Sequence, residues 1–281
     1  MDQVHLRMFL SSISVISLIC AASGAIQDSV EISWGGDRAQ LGENGELLTL
    51  TLDQSSGSGF QSKDEYLFAE VSIRLKLVSG NSAGTVTAFY LSSIGDAHNE
   101  IDFEFLGNVS GSPYTVHTNV FDQGKGNREQ QFYLWFDPTQ DFHTYTILWN
   151  KKNIIFLVDG LAIRVFKNNE AKGIGYPDDQ AMRVYSSLWN AEDWATQGGR
   201  VKTDWSKAPF SAYYRDYNAS ACVASAGTSS CSSGSVSWMD RELSLHEVSK
   251  MKELRKTYMV YNYCDDKNRF GQNMPAECRL A

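Results

Sequence analysis

The chain has 281 residues, 42% hydrophobic and 12% aromatic, with 33 acidic against 25 basic side chains and a net charge of −8. That length and apolar content support one large domain with a sizeable core. No basic stripe or cluster is present that could track phosphates, which argues against a nucleic-acid partner. The aromatic side chains instead offer platforms for a neutral polymer.

Residues 1–25 read as a secretory signal peptide. His5 and Arg7 precede an apolar run from Met8 to Ala22, closed by the small residues Ala22-Ser23-Gly24-Ala25. The run is short of the ~20 residues a membrane span needs. Its removal leaves a soluble extracellular chain, and the net charge is unchanged because Asp2 and Arg7 leave together.

The body reads as β-structure. Residues 47–52 and 66–77 alternate, and 85–91 follow a Gly80-Asn81 turn. The next element carries the chemistry. In His98-Asn99-Glu100-Ile101-Asp102-Phe103-Glu104-Phe105-Leu106-Gly107, a period of two sends Ile101, Phe103 and Phe105 one way. His98, Glu100, Asp102 and Glu104 go the other. Like charges in a row repel, and a sheet gains nothing from holding them together. A single such acid is ordinarily a solvated surface residue; three beside a histidine point to a catalytic carboxylate cluster.

Glycosidic cleavage wants that cluster: one carboxylic acid held protonated for the leaving oxygen, a second kept ionised as nucleophile or base. Strand rise puts Glu100 and Glu104 roughly 13 Å apart at Cα. The retaining mechanism needs carboxyl groups about 5–5.5 Å apart and the inverting one about 6.5–9.5 Å. Inward-leaning side chains on a concave face can close the gap, so spacing permits retention without showing it. Asp102, between the two, can hydrogen-bond one Glu and disfavour a further charge.

Residues 153–158 and 161–166 flank Asp159-Gly160, the strongest short hairpin signal in the chain. Residues 184–189 form another strand. Many short strands and few helical patterns give an all-β sandwich or barrel. A Ser/Gly/Ala-rich stretch at 219–235 ends it. Ser244-Leu245-His246-Glu247 then has the form of a capping box, with Val248, Met251, Leu254 and Tyr258 at helical spacing behind it. Beyond the signal, four cysteines remain, Cys222, Cys231, Cys264 and Cys278, an even number in a secreted chain. Three disulfide pairings are possible, and no CxxC spacing supports zinc. No metal or other cofactor is expected.

The run His98–Asn108 resembles the active-site signature of plant xyloglucan endotransglucosylase/hydrolases, within glycoside hydrolase family 16. The resemblance extends from about Val30 to the C-terminus, through Ser186-Ser187-Leu188-Trp189-Asn190, Trp194-Ala195, Gly198-Gly199 and Tyr261-Asn262-Tyr263-Cys264. It implies a curved β-jelly-roll sandwich over 26–215 and a disulfide-stapled extension over 216–281 that contains a short helix and lengthens the acceptor side of a cleft. It implies that Glu100 is the nucleophile, Asp102 a helper and Glu104 the general acid/base. The disulfides would be Cys222–Cys231 and Cys264–Cys278.

By the same comparison Tyr90 belongs to the donor side, and Trp189, Trp194, Ala195 and Gly199 to the sugar-binding segment. His117, Thr118, Asn119, Asn127, Arg128, Glu129 and Arg269 would line the cleft. Asn108-Val109-Ser110 is a glycosylation sequon of the kind the family carries there, and Asn218-Ala219-Ser220 is a second sequon without that support. Residues 121–129 resemble the short loop form, which favours transfer over hydrolysis.

The expected activity is cleavage of the β-1,4-glucan backbone of xyloglucan and transfer to a second xyloglucan chain in the plant cell wall. Donor and acceptor polysaccharides are the partners, with neither membrane nor nucleic acid, and a monomer is expected. The alternatives are a predominantly hydrolytic xyloglucan or mixed-linkage glucanase, and a non-catalytic glucan-binding jelly roll.

Overall fold

The computed structural model describes residues 25–225, 228–231 and 237–280. All but the last residue of the expected signal peptide, and part of the Ser/Gly/Ala-rich stretch, lie outside the described residues. Among the described residues, fifteen strands build the fold. They are β1 (Val30–Trp34), β2 (Ala39–Gly42), β3 (Leu47–Leu52), β4 (Ser58–Lys76), β5 (Thr85–Ser92), β6 (Glu100–Leu106), β7 (Thr115–Phe121) and β8 (Gln130–Tyr133). After them come β9 (His143–Trp149), β10 (Asn153–Val158), β11 (Leu161–Lys167), β12 (Met182–Asn190), β13 (Phe210–Ser225), β14 (Thr228–Cys231) and β15 (Met259–Asn262).

The strands form a sandwich whose two layers share β4. One layer runs β15-β8-β7-β6-β5-β12, and β12 pairs onto the first half of β4, with β1 beside it. In the other layer, β11-β10-β9 reach the second half of β4, which also pairs with β13, and β13 with β3. Between the halves, Phe68 adopts φ 72°, a left-handed bend where the long strand changes layers. The core lies between the layers. Phe103 and Phe105 of β6 meet Tyr145 of β9 edge-on at 5.8 and 4.6 Å, and Phe103 meets Phe156 of β10 at 5.2 Å.

The 153–166 hairpin turns at Asp159 (φ 48°) and Gly160 (φ 76°), the positive-φ pair a two-residue turn requires. Every residue of β10 is buried, so this strand is covered on both faces. The boundary expected between residues 215 and 216 falls inside β13, which runs on in the sheet beside β4.

Beyond it, the helix Leu245–Tyr258 opens with Ser244 and Glu247 in a reciprocal capping box: the Ser244 hydroxyl accepts from the Glu247 N–H while Glu247 accepts from the Ser244 N–H. The chain then adds β15 to the edge of β8. Cys264–Cys278 is a disulfide that closes the tail after β15. Cys222 is disulfide-bonded, and its cross-strand register partner is Cys231.

Candidate active site

Strand register builds the site as a grid. Glu100, Asp102 and Glu104 of β6 stand opposite Ser92, Tyr90 and Ala88 of β5, and opposite Phe121, Asn119 and His117 of β7. Directly opposed residues share a sheet face, so these nine point one way while Ile101, Phe103 and Phe105 are fully buried in the core. β12 extends the face with Tyr185, Ser187 and Trp189, and beyond it come Gly59 of β4 and Trp34 of β1. A Cβ at Gly59 would lie 2.3 Å from Trp34 Nε1, so only glycine leaves room for the indole there. The groove encloses about 390 Å³ and crosses the strands from Trp34 and Trp189, past the acids, to Asn119 and Phe121.

The three acids occupy different environments. Asp102 is buried and lies within hydrogen-bonding reach of the Glu100 carboxyl. Burial first, and then the charges of Glu100 and Glu104, push its pKa well above the usual carboxylate range. Its Oδ1 has no hydrogen-bond partner among the described residues. Glu104 is pushed up to about 7, by burial and then by Glu100 and Glu129. Beside it, burial pushes His117 down to about 4, so the 3.9 Å approach of His117 Nε2 to Glu104 Oε2 joins a neutral imidazole to the acid. At the other end, His98 tilts over Phe121 at 5.4 Å with Nε2 4.0 Å from Glu100 Oε2.

The residues expected to line the cleft divide. Tyr90 stacks on Tyr185 at 5.4 Å in the groove. Trp194, 39% exposed, tilts against Trp189 at 6.2 Å and meets His117 at 6.4 Å. Asn119 lines the groove while its Oδ1 accepts from the N–H of Val120 and of Arg128. Past β7 the same face continues through Gln131 of β8 and Tyr261 of β15, which stand in register with His117. Arg269 grips Glu129 with both terminal nitrogens, at 2.7 and 3.0 Å, and donates to Asn127 Oδ1 at 2.6 Å. Burial raises the Glu129 pKa, but the hydrogen bonds and charge of Arg269 outweigh it and hold the carboxyl below its ordinary value.

Four expectations need correction. Thr118 faces the core, because one step along β7 reverses the side chain; it is buried, and its hydroxyl donates to the Gln130 carbonyl. Arg128 turns away from the groove: it donates to Glu277 at 2.8 Å and lies over the Phe166 ring at 5.4 Å. Ala195 is buried against Val86, Leu106 and Ala191. Gly199, at φ 83°, lies where a Cβ would meet the Asp193 carbonyl at 2.0 Å, so it shapes the loop behind Trp194. Ser187, within the Ser186–Asn190 run of the sugar-binding segment, stands on the grooved face, and so do Trp34, Phe121 and Tyr185, which the resemblance does not assign to sugar binding. Only the register between strands reveals them.

A glycosidic-bond-cleaving carboxylate enzyme is the class these features define: a β-sandwich groove holding two glutamates about a buried aspartate, one of the glutamates protonated up to about pH 7. The chain belongs to glycosyl hydrolases family 16, whose model matches residues 26–207; the model of the xyloglucan endo-transglycosylase (XET) C-terminus matches residues 233–278.

Among curated relatives it is 60% identical to xyloglucan endotransglucosylase protein 7 of Diospyros kaki, covering 93% of this chain and 99% of that protein. It is 58% identical to xyloglucan endotransglucosylase/hydrolase protein 22 of Arabidopsis thaliana, covering 98% of each. Among solved structures, the apo Crh5 transglycosylase superposes with a TM-score of 0.55 at 27% identity, over 67% of this chain and 76% of that one. The Bacillus licheniformis β-glucanase shares the fold with a TM-score of 0.55 at 21% identity, over 68% and 91% of the two chains.

Proposed function

We propose that the chain is a retaining xyloglucan endotransglucosylase, secreted to the plant cell wall. Glu100 attacks the anomeric carbon of the donor backbone as the glycosidic C–O bond breaks, and Glu104 gives its proton to the departing oxygen. The donor is left as an ester on Glu100. Glu104, now a carboxylate, takes the proton of an incoming hydroxyl whose oxygen displaces Glu100. A hydroxyl from a second xyloglucan chain gives a new joint, and water gives hydrolysis. Asp102, sealed between the two and pushed towards its protonated form, hydrogen-bonds Glu100 and releases it as the ester forms.

The observation that carries this reading is the row of Glu100, Asp102 and Glu104 on one face of β6, lining the groove, with burial pushing Glu104 towards its protonated form. Acceptor capture is supported by β15, Tyr261 and Arg269, which extend the grooved face past β7. Trp34 and Tyr90 lie on the opposite side of the acids, where the donor backbone would rest. Asn108, beside the end of β6, would carry a glycan in the secreted form; Asn218, in the second sequon, is exposed.

The test is incubation with xyloglucan and a labelled xyloglucan oligosaccharide. Label appearing in polymer is the expected result. Shortened polymer with free label indicates a hydrolase, and binding with neither change indicates a glucan-binding module.

A further inference from the structure

Arg164 of β11 is 1% exposed. Its Nη1 donates to the Thr118 carbonyl at 2.8 Å and the Thr118 hydroxyl at 2.9 Å, and its Nη2 to the Arg128 carbonyl at 2.6 Å. All three acceptors are neutral. Aromatic rings cover it, Phe156 at 5.4 Å and Tyr263 at 6.0 Å, and among the described residues it has no ion-pair partner. A sealed cation without a carboxylate partner is expensive, even with neutral acceptors and ring faces around it, so the negative charge nearest to it matters. Thr118 lies on β7 between His117 and Asn119, which stand opposite Glu104 and Asp102. The guanidinium therefore sits behind the acid row, across one layer of sheet.

We propose that Arg164 is a positioning residue for the catalytic carboxylates: a fixed countercharge behind the sheet that offsets the negative charge crowded around Asp102, while its hydrogen bonds hold β7 in register beside β6. On the grooved side, among the described residues, His98 and His117 approach the row and Arg269 stands beyond them, bound to Glu129; His117 is neutral. Around Asp102, burial, Glu100 and Glu104 favour the proton, and Arg164 opposes them. Tyr90 stands across from the row, and the row's charges raise its pKa further after burial. Around Arg164, burial pulls its pKa down to about 10, Tyr263 and Glu129 favour its charge, and Arg255 and Arg128 oppose it. It stays charged throughout the range in which the acids titrate.

The consequence lies in the pH profile. Neutralising Arg164 leaves Asp102 holding its proton to higher pH, so the acid limb of kcat/KM moves up by as much as about one pH unit. The alkaline limb belongs to Glu104, which responds to burial, Glu100 and Glu129, and it stays in place.

The inference rests on the transglucosylase reading, and the experiment separates the two. Transfer from xyloglucan to a labelled oligosaccharide is followed against pH for the natural chain, Arg164→Gln and Arg164→Lys. Gln keeps hydrogen-bond donors without charge, and Lys keeps the charge. An acid limb displaced upward in R164Q and returned in R164K is the expected result. Lower amplitude with an unmoved limb in R164Q overturns the proposal and leaves Arg164 a scaffold residue. Where R164Q does not fold, an R164K limb that coincides with the natural one supports the proposal and a displaced limb overturns it. A natural chain that transfers nothing at any pH defeats the functional reading instead. The Asp102 carboxyl resonance, titrated by carbon NMR in natural and R164Q chains, then reads the same displacement without turnover, and an unchanged titration overturns the countercharge.

Discussion

His117 Nε2 lies 3.9 Å from Glu104 Oε2, yet the two form no ion pair, because burial holds the imidazole uncharged with a pKa near 4. The Gln131 side-chain amide donates to His117 Nδ1 at 3.2 Å, which leaves the ring proton on Nε2, facing Glu104. A cationic histidine there would favour the charged carboxylate and work against keeping the acid protonated. The neighbour is polar and neutral, and Glu104 keeps its proton.

On the proposed mechanism activity depends on Glu104 remaining an acid, and it should fall as pH rises through about 7. Stability carries the same signature with a definite sign. A carboxyl whose folded pKa lies above its unfolded value of 4.5 favours folding below that value, and the advantage is lost as pH rises towards 7. Glu104→Gln should be inactive yet more stable than the natural chain above pH 7, by roughly 3 kcal/mol at most, with the difference vanishing in acid. Thermal melts across pH check this; equal melting temperatures at every pH would contradict the raised pKa.

Glu100→Ala should lower turnover by at least about 10⁴-fold while polymer binding persists. Rate assays paired with affinity electrophoresis on xyloglucan make the comparison. Near-normal turnover removes Glu100 from the nucleophile role.

Trp34→Ala should raise the KM for donor polymer roughly three- to tenfold, the worth of one lost ring contact, with little change in kcat. The indole is 42% exposed, so the melting temperature should barely move. An unchanged donor KM would show that polymer does not cross Gly59.

Arg269→Ala frees Glu129 and Asn127 from their clamp. The acceptor KM should rise on the order of tenfold, with donor KM less affected, and the ratio of transfer to hydrolysis should drop. Product analysis with labelled acceptor reads both. A ratio equal to that of the natural chain would confine Arg269 to a scaffolding role.

Phe103→Ala should cost about 3–5 kcal/mol, since the ring is fully buried against Phe105, Tyr145 and Phe156. Urea unfolding measures it.

The acid strand is legible in the sequence because apolar and acidic residues alternate there without interruption, and each face has one chemistry. β7 is harder: Val, His, Thr and Asn alternate in Thr115–Phe121 with a buried hydroxyl on the core side. The period of two through Val116 and Val120 places Thr118 inward, against the cleft assignment of the whole 117–119 run, and the Arg164 guanidinium, remote in sequence, meets its hydroxyl there. Arg128 reads as a cleft cation, and it turns away because Glu277, remote in sequence, claims it. Trp34 is invisible for the same reason: its place over Gly59 depends on the meeting of β1 and β4. The capping box and the Asp159-Gly160 turn, whose physics is contained in a few neighbouring residues, are read directly.

The edge of the grooved layer is completed by β15, a strand contributed near the end of the chain to β8. During synthesis, Gln130–Tyr133 must wait with unpaired amides and carbonyls until Met259–Asn262 has emerged from the ribosome, an interval in which an unfinished sheet margin can recruit the wrong neighbour. Truncation before Met259 would leave that margin permanently open. The nascent molecule would then possess all three carboxylates and an adhesive flank, and biogenesis rather than chemistry would limit its yield.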